Sequence, residues 1–237
     1  MSDVAPAAGS ILPAGLLCYC RAGFEPELAA ELGERAALAG FAGHARTERG
    51  SGYVLFPSDG DAAALSNALP WRELIFARQK LVLLAELRGL DPRDRITPIL
   101  AQLRGAGPFG DLWVEHPDSD AGKPLAGLAR SFGNALRPAL RAAGVLAARD
   151  DPTLPRLHVC FVDGDHALLA RADPQDSAPW LLGIPRLRMH AEAPSRSALK
   201  LEEALMVLLD ADARARLLQP GMRAADLGAA PGGWTWC

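Results

Sequence analysis

Two stretches carry residue types that could do chemistry: SRSALKLEEAL at 195–205 and DLGAAPGGWTWC at 226–237. In the second, MRAADL predicts a short buried strand, and Gly228 opens a turn that a Cβ would obstruct. Pro231 suits the first position of a helix, where a missing N–H costs nothing. Gly232 and Gly233 leave room for a ligand to touch the backbone, with free N–H groups at a helix N-terminus facing it. The spacing is not GxxxxGK[ST], which excludes an NTPase phosphate loop. Nor is it a clean GxGxxG, which weakens a dinucleotide reading. A glycine turn alone can be mere architecture. Asp226 just before it and APGGW after it make a cofactor turn the more specific reading.

In the first stretch Pro194 and Ser195 or Ser197 mark a helix start with serine as N-cap. Lys200 then falls near the first turn, where the positive end of the helix dipole disfavours an ammonium. That conflict suits a proton acceptor. The plain alternative is a solvated lysine on an amphipathic helix that buries Leu201, Leu205 and Leu208.

Local basicity is the third feature. Residues 121–149 hold Lys123, Arg130, Arg137, Arg141 and Arg149 without an Asp or Glu. On an unbroken helix Arg130, Arg137 and Arg141 fall within about 40° of one another, opposite Leu128, Phe132 and Ala139, although Pro138 could kink it. Arg186, Arg188 and Arg196 form a second cluster with Lys200, against Glu192. Two basic patches flanking a cofactor turn favour a phosphate-backbone ligand, while the plain reading of each is a solvated face. The five histidines show no shared spacing and receive no role, and Trp71, Phe76, Trp113 and Trp180 read as core.

These groups need elements to hold them. AGLLCYCR reads as a strand, FEPELAAELGERAALAG as a helix, FAGHARTE and SGYVLFP as a hairpin, DGDAAALSNAL as a helix and LIFARQKLVLLAEL as a long strand. This β-α-β-β-α-β order suits a ferredoxin-like α+β unit. A second α+β unit follows: helix DRITPILAQLRG, strand DLWVEHP, a helical run over 122–144, then a hairpin of RLHVCFVDG and HALLARAD. SRSALKLEEALMVLLDADARARLL reads as one helix, followed by a turn at Pro220-Gly221 and the glycine motif.

The 237 residues are 49% hydrophobic and carry a net charge of −3, enough to bury more than one core and too balanced for general nucleic-acid or membrane adhesion. Cys18, Cys20, Cys160 and Cys237 contain no CxxC and no histidine at ligand spacing, so free thiols are expected and no metal. With no signal-peptide pattern and no long apolar stretch, the expectation is a soluble cytoplasmic protein.

SRSALKLEEAL followed by DLGAAPGGWTW resembles the FtsJ-type ribose 2′-O-methyltransferases, and the chain from about residue 14 is similar to the RlmM family of bacterial 23S rRNA cytidine 2′-O-methyltransferases. CRAGFEPELAAEL, SGYVLF, ELIFARQ, DRITPIL, LRAAGVLA and GIPRLRM follow that family's order. The resemblance implies a loose N-terminus at 1–13, a ferredoxin-like domain at 14–90, an RNA-presenting THUMP-like domain at 91–190, and the start of a Rossmann-like methyltransferase domain at 191–237. It implies S-adenosylmethionine as methyl donor. Ser197, Asp226, Gly228, Ala230, Pro231, Gly232 and Gly233 would contact that cofactor. Lys200 matches the first lysine of the family's Lys-Asp-Lys-Glu set. Arg130, Arg137, Arg141, Arg186, Arg188 and Arg196 would meet 23S rRNA. Ala230 stands where some relatives carry cysteine, at a position that needs only backbone. The rest of that set and the later strands are not in the 237 residues, so the expectation is an incomplete, inactive catalytic domain; the alternative is a non-catalytic RNA-binding module. A small-molecule methyltransferase would have no use for the α+β units.

Overall fold

The computed structural model describes residues 15–237. The expected loose segment at 1–13 lies outside the described residues. The chain divides into two units, one ending at Gly183 and one spanning 184–237.

In the first unit, β1 (Gly15–Tyr19), α1 (Glu25–Leu38), β2 (Arg46–Thr47), β3 (Tyr53–Pro57), α2 (Ala62–Ala68) and β4 (Gln79–Leu87) follow the predicted order. β1 runs antiparallel between β3 and β4, and β2 pairs with β3, which is the ferredoxin-like arrangement. The long strand predicted from Leu74 shortens at its start: 74–78 are irregular, following a 3-10 turn at Trp71–Glu73, and β4 begins only at Gln79. α3 (Ile96–Gln102), β5 (Asp111–Glu115), α4 (Ala126–Ala142), β6 (Arg156–Asp163) and β7 (His166–Ala172) come next. β5 and β6 are parallel, joined by the α4 crossover, and β6 and β7 form a hairpin. α4 runs through Pro138 and ends, as expected, before Gly144.

The two α+β modules share a sheet. β4 pairs with β7, giving the order β2-β3-β1-β4-β7-β6-β5. Register decides where the helices lie. Val82 packs with the core of Leu16, Cys18, Phe56, Leu28, Leu32 and Leu65 under α1 and α2. Its partner across β4–β7 is Arg171, which has the strand parity of Ala167 and Leu169 in the core under α3 and α4. Paired residues share a face, so both helical layers cover the same side. A bulge between Leu83 and Ala85 keeps the apolar positions of β4 in phase with both cores.

The opposite face carries Leu17, Tyr19, Leu81, Leu83, Cys160, Leu168 and Ala170, and it is buried too. Tyr19 on β1 donates to Glu115 on β5, four strands along, at 3.1 Å, so the sheet curls until its concave side closes on itself. The segment after β7 ties down both faces of β4 at its start. Asp176 holds the buried Lys80 ammonium and accepts Trp71 N–H at 2.7 Å. Gln79 exchanges two hydrogen bonds with the Ala178 backbone at 2.8 and 3.0 Å.

The second unit holds α5 (Ser197–Leu208), α6 (Ala211–Leu217) and a single turn, α7 (Gly233–Trp236). The one helix expected over 195–218 is two, because Asp210 accepts Ala213 N–H at 2.6 Å and caps α6 afresh. The expected strand at MRAADL is open chain: Met222 is 57% and Leu227 94% exposed. A strand exists by pairing, and no described residue pairs with this one. The leucine stripe of α5 is likewise not a core: Leu201 and Leu205 are half-buried and Leu208 is exposed, with Ala198 the buried residue of the helix.

Candidate cofactor cleft

Unit 184–237 forms an open cleft of about 480 Å³ lined by Ser197, Lys200, Asp226, Gly228, Ala230, Pro231 and Gly233, among others. Seven residues proposed from sequence thus converge, and Gly232 sits in the same turn behind them.

Gly233 makes the convergence possible. A Cβ there would stand 2.2 Å from Ser197 Oγ and 2.3 Å from Ser195 Oγ, so only glycine lets the turn press onto the start of α5. The two serine hydroxyls bond each other at 2.5 Å. Trp234 Nε1 donates to the Ser197 carbonyl at 3.0 Å, fastening the turn from its far side. Asp226 accepts Thr235 Oγ1 at 2.8 Å, so the carboxylate is tied to α7 across the loop. Gly228 and Gly232 take φ of 81° and 90°, the left-handed region that favours glycine, with open space where a Cβ would be.

Three local expectations are corrected. Pro231 does not open the helix: α7 starts at Gly233, with Gly232 at the N-cap. The Gly232 N–H is not free, since it donates to the Ala229 carbonyl and closes the turn. Neither serine is the N-cap of α5. That position is Arg196, and Ser195 Oγ accepts instead from the Ser197 N–H at 3.3 Å. Lys200 is the fourth residue of α5, exposed, and without an ion pair among the described residues.

The arginines divide. Arg137 pairs with Asp111 at 2.8 Å and Asp150 at 3.1 Å and donates to the Leu112 carbonyl at 2.7 Å. Arg141 pairs with Asp150 at 2.9 Å. Carboxylates outside the basic segment thus take up part of its charge, and these two side chains fasten α4 to β5 and to the loop before β6. Arg130, also on α4, is exposed with no such partner, as are Arg186, Arg188 and Arg196 in the second unit.

Three family models match in succession. The RlmM ferredoxin-like domain covers 14–81, the N-terminal model of ribosomal RNA large subunit methyltransferase M covers 94–172, and the FtsJ-like methyltransferase covers 193–237. The chain belongs to the RlmM family. Its relatives named ribosomal RNA large subunit methyltransferase M include those of Xanthomonas campestris pv. campestris strain B100, 74% identical, and Xanthomonas oryzae pv. oryzae strain KACC10331, 73% identical, each over 94% of this chain. The chain spans 64% of the length of these RlmM relatives. Among solved structures, TrmN from Thermus thermophilus superposes with a TM-score of 0.41 at 21% identity, over 67% of this chain and 45% of that one, too loosely to carry an argument.

Sequence reasoning about this RlmM-family chain missed one buried cluster. His158 and Glu115 are fully shielded and bond at 2.7 Å through Nδ1. Arg156 Nε donates to His158 Nε2 at 2.9 Å, which leaves the imidazole proton on Nδ1, toward the carboxylate. Glu115 also accepts Leu182 N–H at 2.6 Å and Tyr19 OH. Burial alone would raise the Glu115 carboxyl, but His158 and these hydrogen bonds outweigh it and hold it below the ordinary carboxylate value. The available signal was weak: alternating His158 and Cys160 on a strand face that had no evident reason to be buried.

Proposed function

We propose that this chain provides the RNA-presenting modules and the opening of the cofactor cleft of an S-adenosylmethionine-dependent enzyme that methylates a ribose 2′-hydroxyl, at a cytidine of 23S rRNA, in the cytoplasm. The proposed domain limits are 14–90, 91–190 and 191–237. The observation that carries the reading is the cleft itself, where Ser197, Lys200, Asp226 and the glycine turn meet.

The residues present fit one flank of such a cofactor. Ser197 and the backbone from Ala230 to Gly233 would hold it, and the left-handed glycines leave the turn bare enough for close approach. When bound, S-adenosylmethionine supplies an electrophilic methyl group on a sulfonium. A ribose hydroxyl is a weak acid, so its attack needs a group to take the proton or to steady the alkoxide. Lys200 Nζ on the cleft wall is that group. Asp226, held by Thr235, fixes the entry to the turn. Arg130, Arg186, Arg188 and Arg196 are left to meet phosphates, whereas Arg137 and Arg141 must share themselves with Asp111 and Asp150.

The test uses this sequence extended to the length of its relatives, with labelled S-adenosylmethionine and 23S rRNA fragments. Lys200→Ala should abolish methyl transfer and retain cofactor uptake in calorimetry. Unchanged turnover removes Lys200 from the mechanism, and RNA affinity with no methyl transfer in the unmutated protein removes the enzymatic reading.

A further inference from the structure

Arg171 lies in mid-sheet, opposite Val82 of β4 on one side and Leu157 of β6 on the other. A guanidinium flanked by apolar strand neighbours is costly unless something shares its charge. Half-buried Arg171 nevertheless makes no ion pair and no side-chain hydrogen bond among the described residues. Lys80, the other cation on this face of the central strands, is fully committed to Asp176 and to the Ser66 and Leu69 carbonyls.

Arg171 and Val82 help line a cleft of about 200 Å³ between α2 and the loops flanking β6 and β7, with Ser66 and Asn67 of α2 on one side and Thr153 and Asp173 on the other. The Ser66 hydroxyl and the Asn67 amide also lack partners among the described residues. Three sets of donors without a partner among the described residues therefore line one cleft. Thr153 Oγ1 is turned to Asp151 at 2.6 Å. Asp173 accepts Gln175 N–H at 2.9 Å and does not pair with Arg171.

A guanidinium beside hydroxyl and amide donors matches a tetrahedral oxyanion. Asp173 on the wall opposes a dianion more than a monoanion. We propose that this cleft binds a phosphodiester group and, resting on the rRNA reading above, that the group belongs to the RNA backbone. The site lies in the first unit, and none of its lining residues is among those assigned to the cofactor or named for RNA from the sequence.

The experiment measures binding of a 23S rRNA fragment across a salt series, together with thermal stabilisation by dimethyl phosphate against a chloride-matched control. Arg171→Gln removes the charge and keeps a shorter polar side chain; Arg171→Lys keeps the charge; Asn67→Asp, on the exposed surface of α2, places a carboxylate in the cleft. Loss of one phosphate contact lowers the slope of log K against log salt by about 0.7–0.9. Arg171→Gln should show that loss with a several-fold weaker complex, Arg171→Lys should regain most of it, and Asn67→Asp should weaken RNA binding likewise. Dimethyl phosphate should stabilise the parent chain and not Arg171→Gln. Slopes and affinities equal to the parent in both Arg171→Gln and Asn67→Asp overturn the RNA assignment while leaving the rRNA reading standing. Absence of RNA binding by the parent overturns the rRNA reading instead, and the dimethyl phosphate arm then decides the cleft alone: stabilisation lost in Arg171→Gln upholds a phosphodiester site, and no stabilisation removes it. If Arg171→Gln does not fold, Arg171→Lys and Asn67→Asp decide on the same readouts.

Discussion

Glu115→Gln tests whether the closed concave face depends on one buried carboxylate. The carboxylate accepts from His158 Nδ1, Leu182 N–H and Tyr19 OH, and residue 115 is 1% exposed. Glutamine can still accept the Leu182 N–H with its oxygen. Its amide then faces the His158 and Tyr19 donors, donor against donor, and the charge opposite Arg156 is gone. A buried donor left without its acceptor costs about 1–3 kcal/mol, and two such donors with the Leu182 bond retained place this change at about 3 kcal/mol. With a urea m-value of about 1–3 kcal/mol per molar, the unfolding midpoint should fall by roughly 1–3 M at pH 7. The pH dependence has a fixed sign. A carboxyl held low in the folded state contributes stability above its unfolded value, about 4.3, and loses it as pH drops through the folded value. The gap between parent and variant should therefore be full at pH 7 and narrow in acid below about pH 4. Circular dichroism across urea series at both pH values reads it. A loss under about 1 kcal/mol at pH 7, or a gap that ignores pH, refutes the idea that this cluster closes the sheet.

Two other measurements address the second unit and the thiols. Gly233→Ala forces a Cβ onto Ser195 Oγ and Ser197 Oγ, an overpacking worth about 1–3 kcal/mol. Amide exchange at Trp236, whose N–H bonds the Gly232 carbonyl at 3.0 Å, should accelerate about fivefold or more, and Ser195→Ala with Ser197→Ala should restore part of the protection; unchanged exchange would contradict the contact. Burial pushes Cys18, Cys20 and Cys160 up to about 12, while Cys237 is exposed. A thiol reagent at pH 8 should titrate one equivalent in the native chain and four after denaturation, and more than one fast native equivalent would show that β1 or β6 is open.

The order of elements was legible because local patterns specify it. The apolar spacing of α1 and α4, the two hairpins and the stop at Gly144 are short-range features, and they stand where the sequence places them. The glycine turn was legible for the same reason: Gly228 and Gly232 adopt backbone angles that their neighbours could not share cheaply. The burial of three cysteines followed from apolar surroundings along the strand.

Everything that depends on a partner far along the chain was hidden. MRAADL has the composition of a strand and is not one, because pairing comes from a neighbour and not from propensity. Arg137 and Arg141 read as a free basic face until the fold set Asp111 and Asp150 against them. The sequence assigns His158 no role because Glu115 is 43 residues away and Tyr19 lies on a distant strand. The β4–β7 pairing that merges two modules into one sheet, and with it the stranded charge of Arg171, is a matter of register and curvature. Local propensity names elements within a few residues, whereas charge compensation and burial are properties of whatever the closed sheet brings together.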